Sequence, residues 1–291
     1  MSGAPPAAPG AAVGLLAGEG RLPVVLAAAM RAQGRRVICA QMAGEPGRLP
    51  DLADVYAALD LGALQDLLRF WQQHAVREVV VAGRFNRAAL AQPQPGDDFA
   101  RARLRQIDDR RDQSVMDMFA QVLAQGGMRV LAQTAFAPHL LAEPGLLAGP
   151  PPSEAERRDV ELGLPIARLL AGQDVGQTVV LKDGAILAAE AAEGTDATIR
   201  RGGSMARGAV VVKVSRPHQD PRFDLPTVGP ETIESMDAVG ARLLAVEARR
   251  TIILDRDRLA AAAAAAAITV LAVEAQPLLA APLGTAARQA T

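Results

Sequence analysis

The chain has 291 residues, half of them hydrophobic and 22% charged, with 31 Lys and Arg against 32 Asp and Glu. That composition is globular and suffices for one large domain or two of ordinary size. A net charge of -1 and 3% aromatic residues argue against a nucleic-acid partner, which needs a basic face and often stacking platforms.

The single cysteine, Cys39, excludes an internal disulfide and a cysteine-based metal site. It sits in the apolar run Val37-Ile38-Cys39-Ala40 and reads as a small buried side chain. The start, Met1-Ser2-Gly3-Ala4-Pro5-Pro6, lacks the charged and apolar regions of a secretory signal. No apolar run approaches the roughly 18 residues that a membrane span needs. The expectation is a cytoplasmic protein that at most touches the membrane surface.

Residues 13–17 read as a buried strand, 22–33 as a helix ended by Gly34, and 36–41 as a second strand. Leu61, Leu64, Leu67, Leu68 and Trp71 form one stripe, which predicts a helix over 61–74. Val79-Val80-Val81 centre a strand at 78–82. A helix at 114–125 closes on Gly126-Gly127, and a further strand follows at 128–133. Strands alternating with helices imply a parallel sheet covered on both faces. The N-terminal part, 11–149, is therefore expected to be a Rossmann-like α/β domain.

Residues 146–152 carry Gly149 and three consecutive prolines, and the domain boundary is placed there. Ser153 with Glu156 three residues later has the form of a capping box and opens a helix. Beyond it, 178–182, 185–189, 209–214 and 251–254 read as strands, with Asp183-Gly184 suited to a tight hairpin turn. A helix is expected over 230–248. Ala260–Ala267 read as helix because alanine has the highest helix propensity, and a last strand follows at 268–273. This part, 150–280, is expected to be a smaller α+β domain.

Four segments carry candidate chemistry. Gly18-Glu19-Gly20 follows the first strand and opens a helix, where backbone N–H groups can meet an anion; Pro23 suits the first turn. A plain strand-to-helix turn has the same appearance. Gly83-Arg84, with Asn86 and Arg87, follows the strand at 78–82, at the sheet end where ligands bind in open parallel sheets. Glu193-Gly194-Thr195-Asp196 precedes Arg200-Arg201 and suits metal or phosphate binding, or a simple turn. The densest segment runs from Lys213 through Asp220, Arg222 and Asp224 to Thr227 and Gly229, and contains Pro217, Pro221 and Pro226. A stiff, densely charged loop packs poorly and suits chemistry. Phosphoryl chemistry needs cations on the phosphates and carboxylates that hold a divalent metal or position water, which Lys213, Arg222, Asp220 and Asp224 can supply.

Five stretches in order resemble the LpxI family of UDP-2,3-diacylglucosamine pyrophosphatases. They are Gly14–Pro23, Asp174-Val175-Gly176-Gln177-Thr178, Glu193-Gly194-Thr195-Asp196, Lys213–Gly229 and Arg250-Thr251-Ile252-Ile253-Leu254-Asp255. The resemblance implies a Rossmann-like N-terminal domain, a C-terminal domain peculiar to the family, and a nucleotide-linked glycolipid as substrate. It implies magnesium-dependent hydrolysis to UMP and 2,3-diacylglucosamine 1-phosphate (lipid X), with water directed to the phosphorus on the sugar side. The family's essential aspartate falls on Asp224. The metal set expected on this basis is Asp224, Asp220 and Asp196; the substrate set is Gly18, Glu19, Gly20, Gly83, Arg84, Thr195, Lys213, Arg222 and Thr227.

The residues independently disfavour a two-metal phosphoesterase, which needs Asp-x-His and Gly-Asn-His-type motifs that a chain with three histidines does not contain. The alternative from another class is a nucleotide-sugar binding module without chemistry. A nicotinamide oxidoreductase is suggested only by the fold pattern and lacks the glycine fingerprint.

Overall fold

The computed structural model describes residues 10–85, 98–105 and 112–274. The chain divides into two compact units. One is built from residues up to 141 with 218–227 and 252–254; the other from 142–217, 228–251 and 255 onward. The chain thus crosses between units repeatedly, where a single boundary at the prolines would cross once. The charged segment is itself divided, with Lys213 in the second unit and Asp220 to Thr227 in the first.

In the first unit the described elements run β1 (Ala12–Ala17), α1 (Leu22–Ala32), β2 (Arg36–Gln41), α2 (Leu49–Leu52), β3 (Val55–Ala58), α3 (Leu64–Gln73), β4 (Glu78–Ala82), α4 (Asp98–Leu104), α5 (Asp112–Gln125) and β5 (Arg129–Val130). The strands form one sheet in the order β3-β2-β1-β4-β5, every neighbouring pair parallel. Alternation along β1 explains the layers. Val13, Leu15 and Ala17 face a core with Leu22, Leu26 and Met30 of α1, while Leu16 joins Leu64, Leu67 and Trp71 of α3 on the other face. The expected Rossmann-like sheet is present. β3 is an addition that its short sequence, Val-Tyr-Ala-Ala, did not announce, and the strand expected over 128–133 is confined to Arg129–Val130.

The second unit holds β6 (Gly145–Ala148), α6 (Glu154–Gly172), β7 (Thr178–Lys182), β8 (Ala185–Ala189), α7 (Thr195–Gly203), β9 (Val210–Lys213), α8 (Pro230–Asp237), β11 (Leu243–Glu247), α9 (Arg256–Ala265) and β13 (Thr269–Val273). Two short strands, β10 (Thr227–Val228) and β12 (Ile252–Ile253), pair separately. The main sheet is mixed, in the order β6-β13-β11-β9-β7-β8, parallel through β13, β11 and β9 and antiparallel at its flanks. The Ser153 capping box forms as expected, the hydroxyl accepting from the Glu156 N–H. Asp183 and Gly184 take the left-handed backbone of the predicted hairpin turn, at φ 48° and 80°.

Two expectations fail. The helix predicted over 230–248 stops at Asp237, and Leu243–Glu247 is a central strand buried throughout. Gly240 at φ 67° breaks the helix, and the run Leu-Leu-Ala-Val, apolar on every side, suits a strand covered on both faces. The supposed linker over 146–152 begins inside β6, an antiparallel edge strand paired with β13.

At the amino end of β4, Glu78 accepts from Arg35 at 2.8 Å and from Arg129 at 2.6 Å. Arg35 and Glu78 are both buried. Removing one partner strands a buried charge, so Glu78→Ala is expected to cost about 3–5 kcal/mol. Denaturant unfolding measures this, and a loss below about 1 kcal/mol, the range of an exposed pair, would contradict the assignment.

Candidate active site

The first unit's strand order reverses between β1 and β4, and in open parallel sheets ligands bind at such a switch point, beyond the carboxyl ends of the strands. The two glycine segments leave β1 and β4 there and bind each other. Gly18 N–H donates to Ala82 O at 2.8 Å, Glu19 N–H to Arg84 O at 2.8 Å, and Arg84 N–H to Glu19 O at 2.9 Å. The contact is too close for side chains. A Cβ on Gly18 would lie 2.5 Å from Arg84 O, and one on Gly83 would lie 2.7 Å from Glu19 O. These two glycines therefore fasten the loops together, which sequence reasoning, treating the segments separately, did not foresee. Gly20, at φ 99°, has open space around it. Glu19, Gly20 and Arg84 are exposed on this rim. The N-terminus of α1 has no side-chain cap and no acidic residue in its first turn, leaving its positive end available to an anion. Asn86 and Arg87 lie outside the described residues.

The segment 218–227 belongs to this same unit. Phe223, 4% exposed, packs in the α3-side core with Leu16, Val81 and Ala100. Pro226 is buried, and its carbonyl accepts from Ile252 N–H at 2.8 Å. Between these anchors Asp224 is exposed and has φ 51°. Left-handed backbone is uncommon for a residue with a side chain and is least costly for Asp and Asn. Anchored on both sides and strained in the middle, the segment turns one carboxylate outward. Thr227 donates its hydroxyl hydrogen to Leu225 O at 3.0 Å.

Asp220 and Arg222 are employed with each other. The Arg222 Nε donates to both carboxylate oxygens of Asp220, at 3.0 and 2.9 Å, Nη2 adds a bond of 2.6 Å, and the Arg222 backbone N–H adds one of 2.9 Å. Burial pushes the Asp220 carboxyl up, but hydrogen bonds and charge from Arg222 outweigh it and hold the group below its ordinary value. Arg222 also reaches Asp117 at 3.9 Å. Among the described residues no three His, Cys, Asp or Glu side chains gather as a metal cage. Asp220, expected as a metal ligand, instead anchors Arg222. Asp196, also expected as a ligand, stands in the first turn of α7 in the second unit.

In the second unit Lys213, 8% exposed, ends β9 and donates to the Thr195 hydroxyl at 2.6 Å, and Thr195 donates to Glu190 at 3.0 Å. A lysine beside a hydroxyl at the N-terminus of α7 joins three features that attract phosphate. Glu193 is occupied elsewhere, paired with Arg201 at 2.5 Å, and its carboxyl is pushed down to about 2, chiefly by that hydrogen bond. At the end of β11, the strand beside β9, Glu247 accepts from Arg168 at 2.8 Å and from Ser215 N–H at 2.9 Å, fixing the chain where it leaves Lys213.

An apolar pocket occurs in the first unit, lined by Leu16 and Val81 of the sheet, Leu64 and Leu67 of α3, and Met116, Met118 and Phe119 of α5. Phe85 completes one wall and touches the position a Gly18 side chain would take. Cys39 is buried, and burial pushes its thiol up to about 12, so it is inert packing as expected. Among the described residues no helix is long and apolar enough to cross a membrane.

A five-stranded parallel sheet with a switch point between β1 and β4 defines a Rossmann-like α/β protein. Models of the LpxI N-terminal and C-terminal domains match residues 12–140 and 143–271. The chain belongs to the LpxI family. It is 29% identical over 283 residues to the UDP-2,3-diacylglucosamine pyrophosphatase LpxI of Caulobacter vibrioides, a match covering 91% of this chain and 98% of that relative.

Because the folded-state value of Asp220 is depressed, its pairing stabilises the protein above the unfolded carboxylate range and is lost as pH falls through the folded value. Arg222→Ala should move the Asp220 titration upward and abolish that acid-side dependence. NMR titration of the carboxyl carbon checks it; an unmoved Asp220 would contradict the clamp.

Proposed function

We propose that this chain hydrolyses the pyrophosphate of UDP-2,3-diacylglucosamine to UMP and 2,3-diacylglucosamine 1-phosphate, with Asp224 as the carboxylate at the reaction. The observation that carries this reading is the left-handed, outward Asp224 held between buried Phe223 and Pro226. Backbone strain persists where the surroundings over-determine it, and it concentrates at functional positions. The name of the Caulobacter relative supplies the substrate.

In this reading the rim formed by Glu19, Gly20 and Arg84 and the N-terminus of α1 receives the nucleotide end and its phosphate. Arg222, held by Asp220, keeps its position and adds positive charge near the loop. Asp224 orients the attacking water and accepts its proton. The water oxygen bonds to the phosphorus on the sugar side, the bridging P–O bond breaks, and UMP leaves with the bridging oxygen.

The residues fit magnesium in one form. Both Asp220 oxygens are bound to Arg222, and magnesium commonly takes one or two carboxylates and completes its shell with water and substrate phosphates. Asp224 is then the protein carboxylate. When bound, the metal neutralises charge on the pyrophosphate.

The pocket beside Phe85 suits one acyl chain of the lipid. Met116 and Met118 give its wall an adaptable lining.

Asp224→Ala should fold normally and abolish UMP release. In water enriched in oxygen-18, the label should enter the sugar phosphate; label in UMP would place the attack on the other phosphorus. Tight UDP-sugar binding without turnover by the wild type would favour the binding-module reading. Met116→Trp, filling the pocket, should raise KM for the diacylated substrate while sparing a deacylated UDP-sugar. Each methylene excluded is worth about fourfold in affinity, and an unchanged dependence on chain length would remove the pocket from the lipid site.

A further inference from the structure

Gln133 carries no charge and is 3% exposed. It follows the short strand β5, where Leu131 N–H still donates to Val79 O at 2.8 Å. Its amide then reaches in two directions. Nε2 donates to Val81 O near the carboxyl end of β4 at 2.9 Å. Oε1 accepts from Leu225 N–H at 2.8 Å, and the Gln133 backbone N–H donates to Pro221 O at 2.8 Å. Asp224 therefore has Gln133 bonded to the residue after it and to a residue three before it, with the same side chain tied to β4.

We propose that Gln133 is a positioning residue for Asp224: it transmits the position of β4 to the segment and holds Asp224 in its left-handed, outward conformation. The proposal rests on the reading of Asp224 as the reacting carboxylate. The chemistry of the bridge selects glutamine. One end must donate to a carbonyl and the other must accept from an N–H, across a fixed span. Asparagine is one methylene short. Methionine fills a comparable volume and makes neither bond. An ionised glutamate accepts from Leu225 but sets a negative charge against Val81 O. A protonated glutamate, by contrast, restores one donor and one acceptor. A buried carboxyl favours its neutral form, and the charged groups on the bound segment are Asp220, Arg222 and Asp224.

Gln133→Met and Gln133→Glu, assayed in the full-length chain, test this. Positional loosening of a reacting group by about 1 Å costs on the order of 100-fold in rate. Gln133→Met should therefore lower kcat by about that factor while KM stays near wild type; leaving the Leu225 N–H and Val81 O unpaired also lowers the thermal midpoint. Gln133→Glu should recover kcat as pH falls, when its carboxyl becomes protonated, which a side chain acting only as filler would not do. Wild-type kcat in the methionine variant overturns the proposal. Should that variant fail to fold, the glutamate variant decides alone: a pH profile parallel to wild type overturns the proposal. Should the wild type release no UMP, the hydrolase reading fails separately, and hydrogen exchange at the Leu225 amide then decides. Faster exchange in the variant supports the clamp, and unchanged exchange overturns it.

Discussion

The geometry of the candidate site depends on how a polar, proline-rich segment is tied to the edge of an apolar sheet. Residues 218–227 have no helix or ladder of their own for most of their length, so their backbone groups need partners from elsewhere. Gln133 satisfies Pro221 and Leu225, and Ile252 satisfies Pro226. Phe223 supplies the apolar anchor. With those attachments made, Asp224 is left facing solvent in a conformation it would not choose by itself. Strain of this kind is held by the surrounding structure.

The same constraint explains the interleaved chain path. The segment departs from the second unit after Pro217, contributes to the first unit, and returns at Val228; a second, shorter excursion follows at Ile252–Leu254. The first unit holds the glycine rim, Arg222 and Asp224, and the second holds Lys213 and Thr195. A protein assembled in this way cannot be divided at Pro150 into two independent halves without removing Asp224 from the unit that fixes its conformation.

Much of the fold was legible in the sequence because period and punctuation agreed. Val79-Val80-Val81, the stripe from Leu64 to Trp71, the Ser153 capping box and the Asp183-Gly184 turn each carry a local signal, and each formed. The failures fall where local signals conflict with tertiary burial. Leu243–Glu247 follows helix-forming sequence yet is a central strand, and Gly145–Ala148 is short enough to pass for linker. The candidate residues were found by charge and position, but their employment was not. Asp220 faces Arg222 and Glu193 faces Arg201, and only the folded backbone brings those pairs into register. Gln133 was missed because a single glutamine ending an apolar run has no signature; its importance lies in three bonds to residues distant in sequence.

The measurement that bears most directly on the central claim is a single-turnover assay of UDP-2,3-diacylglucosamine with magnesium, comparing wild type with Asp224→Asn. Asparagine keeps the shape of the side chain and tolerates the left-handed backbone, but it cannot accept the proton of the attacking water. The account predicts stoichiometric UMP from the wild type and intact, bound substrate in the variant. Equal UMP release from both would contradict it.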